Sequence, residues 1–158
     1  MKKVNLLLFC FLPLGLYAQI AIKAETIYTV ATSPIKDGVI LIDKGKIKSV
    51  GKATDIKIPT DYKVYQSKTV TPGLIDARTL IGMSGVLNIA VDQDQLEKSS
   101  PIQPELRAID AYNPDEKLVQ VARETGITTI HTGHGIGALV SGQTMVAKTK
   151  TGTADAVA

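Results

Sequence analysis

Val70-Thr-Pro-Gly-Leu-Ile-Asp-Ala-Arg-Thr-Leu-Ile-Gly82 joins a half of the chain that reads as short strands and tight turns to a half that reads as strand, helix, strand. Pro72 has no amide N–H and Gly73 no side chain to pack, so pairing with what precedes them is interrupted there. Leu74 and Ile75 form a short apolar strand end, and Asp76, Arg78 and Leu80 follow at alternate positions, on one face of an extended backbone. Alternating side chains just past a buried strand converge on one spot. In closed parallel α/β sheets that spot, at the C-terminal ends of the strands, is where the chemistry sits.

Upstream, from Ala21 to Val70, β-branched and apolar runs are separated by turn residues. Ile22 to Val30 is rich in β-branched side chains, Val39-Ile-Leu-Ile42 is apolar throughout, and Lys46-Ile-Lys-Ser-Val50 alternates polar and apolar. Asp43-Lys-Gly-Lys46 lies between the last two, with Gly45 able to take the positive φ of a short hairpin. After the break at Pro59, Tyr62-Lys-Val-Tyr65 supplies another short strand. The pattern predicts a small antiparallel sheet.

Downstream the period changes. Asn113-Pro-Asp-Glu116 reads as a helix start, with Asn113 as N-cap, Pro114 at the first helical position, acids in the first turn and Glu116 three residues after the cap. Leu118, Val121, Ala122 and Thr125 follow at helical spacing, and Gly126 is suited to end the helix. Ile127-Thr-Thr-Ile130 is a compact buried strand. With the strand ending at Ile75 it makes a strand–helix–strand crossover, parallel and right-handed by the rule for such units.

The connection from Ala77 to Tyr112 is far longer than an ordinary strand-to-helix loop, and such loops in compact domains are functional or disordered. Val86 to Val91 and Pro104 to Ala111 read within it as a short strand and a short helix, an ordered cover over the strand ends. Asp92, Asp94 and Glu97 lie here too. Gln93, Gln95 and Lys98 dilute them and no turn glycine falls between, which favours a solvated face over a calcium loop. Lys148 to Ala158 is small, polar and without period, a strand leading into a loop.

The N-terminus stands apart. Lys2 and Lys3, the apolar run Leu6 to Leu16 and Tyr17-Ala18-Gln19 match an export signal peptide over residues 1–18, cleaved after Ala18, with an apolar run too short to span a bilayer. The expectation is a periplasmic or secreted protein with no stable membrane anchor. Cys10, the single cysteine of the 158 residues, lies inside that leader. The mature chain therefore has no disulfide, thiol nucleophile or cysteine-held zinc. Without Lys2 and Lys3 the formal net charge falls from +3 to +1, and with no Trp, two Phe and no dense basic run, nucleic acid is not an expected partner. One domain's length carries two patterns, so the chain is expected to be a piece of something larger.

Three stretches, Gly38-Val-Ile-Leu-Ile-Asp-Lys-Gly-Lys-Ile-Lys-Ser-Val-Gly51, Val70-Thr-Pro-Gly-Leu-Ile-Asp-Ala77 and Glu124-Thr-Gly-Ile-Thr-Thr129, together resemble the N-terminal part of the amidohydrolase superfamily, close to its imidazolonepropionase-like members. The resemblance implies a composite α/β fold: part of a small β-sandwich over residues 19–70 and the incomplete beginning of a (β/α)8 TIM barrel over residues 71–158. It implies hydrolysis of carbon–nitrogen bonds, non-peptide and including cyclic amides, in a small-molecule substrate, through water activated by a divalent metal such as zinc. An N-terminal fragment of that kind is expected to be inactive alone, and a homo-oligomer is compatible with it. Where the family's first barrel strand ends in Asp-Ala-His-x-His, this chain has Asp76-Ala77-Arg78-Thr79-Leu80. A guanidinium stays protonated and leucine has no donor atom, so no metal ligand is assigned at Arg78 or Leu80. That departure keeps open a second reading, an exported non-catalytic binding or structural module on the same scaffold.

His131-Thr-Gly-His134 contains both histidines of the chain and follows the second barrel-like strand. Two imidazoles facing one cavity would bind a metal or move a proton near neutral pH, which makes them the catalytic candidates. The alternative has His131 hydrogen-bonded at a strand end and His134 decorating a turn. Arg78 is the substrate-binding candidate, a bidentate grip for a carboxylate, against a bracing role paired with Asp76 or Glu105. Gly133-His-Gly-Ile-Gly-Ala138 fits a loose dinucleotide pattern, but Gln143 to Lys148 reads as strand, which leaves no helix start to hold a pyrophosphate.

Overall fold

The computed structural model of the chain describes residues 19–87 and 89–158. The signal peptide read over residues 1–18, with Cys10, lies outside the described residues. The chain divides into two compact units, Met1–Pro72 and Gly73–Ala158, in which strands dominate and helices are few and short. Among the described residues no helix is long and apolar enough to cross a membrane.

In the first unit β1 (Ile20–Ile27), β2 (Ile35–Asp43), β3 (Lys46–Lys52) and β4 (Lys63–Val70) form one sheet in the order β3-β2-β1-β4. The apolar run of β2 sits near its centre because both faces there are covered. Val39 and Leu41 pack with Ala21, Ile56, Ile58 and Tyr62, whereas Ile40 and Ile42 pack with Ile22, Ala24, Ile27 and Val70. Lys44 and Gly45 hold φ of 51° and 72°, the pair of positive values whose twist suits a two-residue hairpin. β1 stops at Ile27 instead of Val30, whose φ of 66° is incompatible with a strand.

β2 pairs antiparallel with β1 and β3, but β4 runs parallel to β1. The expectation of a wholly antiparallel sheet is corrected at that strand. Residues 53–62 carry the chain across the sheet with Ile56 and Ile58 packed on one face, and a parallel neighbour requires such a crossing where a hairpin would return antiparallel.

The second unit holds β5 (Leu74–Thr79), α1 (Ala108–Ala111), α2 (Lys117–Glu124), β6 (Ile127–Thr132), β7 (Met145–Lys148) and α3 (Ala154–Val157). Its sheet order is β5-β6-β7. β5, α2 and β6 form the expected crossover with parallel strands, but β7 is antiparallel to β6, a departure from a continued parallel sheet. Residues 133–144 contain no helix that would carry the chain back for another parallel strand, so it returns antiparallel. Ile130, on the central strand, has 0% exposure and packs with Met83, Ala108, Tyr112, Val119, Ala147 and Val157.

α2 begins at Lys117, later than a cap at Asn113 predicts. Asn113 Oδ1 instead accepts the Asp115 amide at 3.0 Å and closes a turn, while Glu116 caps the helix by accepting the Leu118 amide at 2.9 Å. Its buried face is Val119 and Ala122; Val121 is exposed. Gly126, at φ 93°, ends the helix as expected. Glu116→Ala is expected to cost about 1 kcal/mol, read as a shift in the urea midpoint at constant slope.

Three further expectations are corrected by local hydrogen bonds. The described residues of Val86 to Val91 form no strand: the Asp92 carbonyl accepts the Gly85 amide at 2.7 Å and its carboxylate the Leu87 amide at 3.2 Å, tying a compact turn around the 3-10 segment Ala90–Asp92. The helix read from Pro104 shrinks to α1 because Arg107 is extended, at φ −124°, and bridges to Gln143. The tail is not all loop, since Thr153 accepts the Ala156 amide at 3.3 Å and caps α3, whose Val157 is buried.

Candidate functional site

Arg78, His131 and His134 all belong to the second unit. Parallel pairing sets Thr79 beside Thr132, so the residues that leave β5 and β6 emerge at the same edge of the sheet.

His131 is held from both sides. Its Nδ1 lies 2.9 Å from the Ala77 carbonyl and its Nε2 2.8 Å from the Thr144 hydroxyl. A carbonyl only accepts, so the neutral ring carries its proton on Nδ1 and accepts the Thr144 O–H at Nε2. Neither nitrogen keeps a lone pair for a metal. This is the hydrogen-bonded arrangement at a strand end.

His134 has the opposite environment. It is 8% exposed, and its Nε2 is buried without a hydrogen-bond partner. The residue lines a small cavity of about 90 Å3 shared with Gln95, Leu96, Glu97 and Ser141. His131 is not in the lining of that cavity, so the two imidazoles do not share it. Gly142, at φ 113°, lies against His134: a Cβ there would stand 2.7 Å from Nε2 and 2.5 Å from the Leu106 carbonyl oxygen.

Arg78 connects the two strand ends. Its Nη2 donates to the His134 carbonyl at 2.6 Å, with a longer contact of 3.5 Å from Nη1 to the Thr79 carbonyl. Asp76 accepts the backbone amide of Arg78 at 3.1 Å, but among the described residues neither Asp76 nor Glu105 pairs with its guanidinium. The bracing partner is a peptide carbonyl, not a carboxylate. The side chain remains exposed, and a guanidinium with five N–H groups still has donors to offer.

The metal implied by the resemblance finds no fit at the family's histidine positions. Arg78 is a donor engaged with a carbonyl, and Leu80 contributes its own carbonyl to a turn, accepting the amides of Met83 and Ser84 at 3.0 Å each. Among the described residues no group of three or more His, Asp, Glu or Cys converges to hold an ion. Asp92 and Glu97 close turns on the Leu87 and Ser99 amides, and the Ser99 amide and hydroxyl hold the Glu97 carboxyl below the usual carboxylate range.

Gln95 and Thr144 were not singled out by sequence reasoning. Gln95 is only 5% exposed although it sits among charged and polar neighbours, and no local signal announces that burial. Thr144 matters only through a contact with His131, which spacing alone does not reveal.

No family model matches the chain. Amidohydrolase tasK of Hapsidospora irregularis is 28% identical to it over 95 residues, covering 58% of this chain and 10% of that protein. The crystal structure of an amidohydrolase from Thermotoga maritima MSB8 superposes with a TM-score of 0.74 at 25% identity, covering 86% of this chain and 35% of that one. The chain thus spans about a third of the matched structure and a tenth of the curated relative.

Proposed function

We propose, from the premise that the chain belongs to the amidohydrolase superfamily, that it is part of a hydrolase of carbon–nitrogen bonds in small molecules, linear or cyclic amides included. The observation that carries this reading is the superposition of 86% of the chain on an amidohydrolase at TM-score 0.74. On this reading the first unit is part of the β-sandwich, and the β5–α2–β6 crossover begins a (β/α)8 barrel whose active edge holds Arg78, His131 and His134. Export through the N-terminal leader places the protein in the periplasm or outside the cell.

The superfamily is generally metal-dependent, and a divalent ion such as zinc polarises a carbonyl and activates water where it is bound. Arg78, a protonated donor engaged with a carbonyl, and Leu80, without a side-chain donor atom, do not fit such an ion. The residues present have other roles. Arg78 offers its remaining N–H groups to a substrate carboxylate, His134 holds or moves a proton at Nε2, and His131 keeps the ends of β5 and β6 in register.

The substitution of the histidine pair by Arg78 and Leu80 favours one other reading, an exported binding or structural module without catalysis. The test is a hydrolysis assay on the natural full-length product, following ammonia or amine set free from linear amides and ureas and the ring-opened amino acid formed from cyclic amides, with and without added divalent metal. Product from at least one class, lost in Arg78→Ala, is the expected result. Absence of product from all of them, in protein that carries no bound metal by mass spectrometry, would overturn the hydrolase reading in favour of the second.

A further inference from the structure

We propose that Thr144 is a nucleophile activated by His131, and that the second unit cleaves carboxylic esters through an acyl group carried on the Thr144 hydroxyl. Three groups in line carry the argument. The Thr144 hydroxyl lies 2.8 Å from His131 Nε2, and His131 Nδ1 lies 2.9 Å from the Ala77 carbonyl. A hydroxyl within hydrogen-bond reach of a base, with that base oriented by a third group, is the arrangement that nucleophilic catalysis requires.

The third group fixes the tautomer. The Ala77 carbonyl only accepts, so the ring proton sits on Nδ1 and the Nε2 lone pair receives the Thr144 O–H. The carbonyl thus orients the imidazole as a carboxylate does in a Ser-His-Asp triad. Without a negative charge it stabilises the imidazolium less, which suits the pair to esters with a good leaving group.

The hydroxyl is also held in place. A Cβ on Gly133 would stand 2.5 Å from Thr144 Cγ2 and 3.0 Å from Thr144 Cβ, so glycine there lets the methyl side of Thr144 come against the end of β6. Threonine is stiff about its first side-chain bond, and with the methyl placed the hydroxyl stays at the ring. Thr144 is exposed just before β7 and His131 is half-buried, so an acyl carbonyl reaches Oγ from solvent while the base is partly shielded.

The bonds balance. Oγ attacks the ester carbonyl as its proton passes to Nε2, the C–O bond to the leaving alcohol breaks, and the alcohol takes that proton. Water then attacks the Thr144 ester with Nε2 as base, the carboxylic acid leaves, and Thr144 regains its hydrogen. The net reaction is ester and water to acid and alcohol. It concerns a C–O bond and draws only on residues of the second unit, so it goes beyond the C–N hydrolase reading and is tested separately from it.

The test treats the full chain with p-nitrophenyl acetate, follows nitrophenolate by absorbance and locates the acetyl group by peptide mass spectrometry. Acetyl on Thr144 is the expected result. Thr144→Val keeps the shape without the hydroxyl and is expected to lose that label, whereas Thr144→Ser is expected to retain it at the same position. His131→Asn retains a donor for the Ala77 carbonyl but has no base at the Nε2 position, and is expected to slow labelling of residue 144 about 100-fold. Folding is checked by circular dichroism, and should a variant unfold, the place of the acetyl group on the unaltered chain decides. Acetyl found only on lysines or on His131 overturns the proposal, as does labelling of Thr144 that is equally fast in His131→Asn.

Discussion

Replacing Ile130 by alanine is expected to lower the stability of the second unit by about 3 kcal/mol, within the range of about 2–5 kcal/mol for deleting a fully buried branched side chain. Ile130 is wholly inaccessible and lies on the central strand, paired with Asp76 of β5 on one side and Ala147 of β7 on the other. Its side chain is in the cluster that joins the sheet to Val119 of α2, Ala108 of α1 and Val157 of α3. Because these side chains come from β7 and all three helices, the cavity left behind cannot be closed by moving one element. Domains have only about 5–15 kcal/mol in hand, so this one substitution removes a large share of the total. Urea unfolding measures it, with Val146→Ala as control. Val146 is 58% exposed on the neighbouring strand, and its loss is expected to change stability by less than about 0.5 kcal/mol. Equal effects at the two positions would mean that the centre of the unit has been misplaced.

Features governed by local chemistry were legible in the sequence. Gly45 marked the hairpin because a positive φ is needed there, Gly126 marked the end of α2 for the same reason, and the apolar run Val39 to Ile42 marked the strand that is covered on both faces. The crossover of β5, α2 and β6 followed from a change of hydrophobic period. Direction of pairing was not legible. Alternation along Lys63–Val70 is the same for a parallel and an antiparallel neighbour, so β4 was misread, and nothing in Met145–Lys148 announces an antiparallel return. Asn113 was misread because one side chain can close a turn or cap a helix, and the turn prevailed once Glu116 was placed to cap.

The candidate site divides along the same line. Arg78, His131 and His134 stood out by residue type and place, but their roles depend on partners distant in sequence. Arg78 meets a carbonyl 56 residues away, His131 is fixed by a carbonyl 54 residues earlier, and the cavity at His134 is lined by Gln95, whose carbonyl accepts the Gly135 amide. Backbone carbonyls leave no trace in composition. A carboxylate partner for Arg78 was the natural expectation, and the structure uses a peptide group in its place.

That choice of partner sets up a contrast between two arginines with equally short contacts. Arg78 Nη2 lies 2.6 Å from the His134 carbonyl, and Arg107 Nη2 lies 2.6 Å from Asp110 Oδ1. Coulomb attraction alone would rank the Arg107–Asp110 pair higher, since it joins two full charges. Both of its side chains are 56% exposed and three residues apart, however, so water screens the pair and little chain entropy is recovered. Arg107→Ala is expected to change stability by less than about 0.5 kcal/mol. Arg78→Ala removes a charged donor from a partly buried carbonyl and is expected to cost about 1.5 kcal/mol, the lower end for such a bond because the rest of the guanidinium is exposed. The loss should be felt first in the loop that follows β6. Hydrogen exchange of the Gly135 amide, bonded to the Gln95 carbonyl, is expected to accelerate about tenfold while the amide of Ile130 changes little. Arg78→Lys retains the charge but not the planar fork, and is expected to fall between the unaltered chain and the alanine variant. Equal costs for Arg78→Ala and Arg107→Ala, or unchanged exchange at Gly135, would show that Arg78 does not hold the His134 loop, and its exposed donors would then have to be explained by substrate alone.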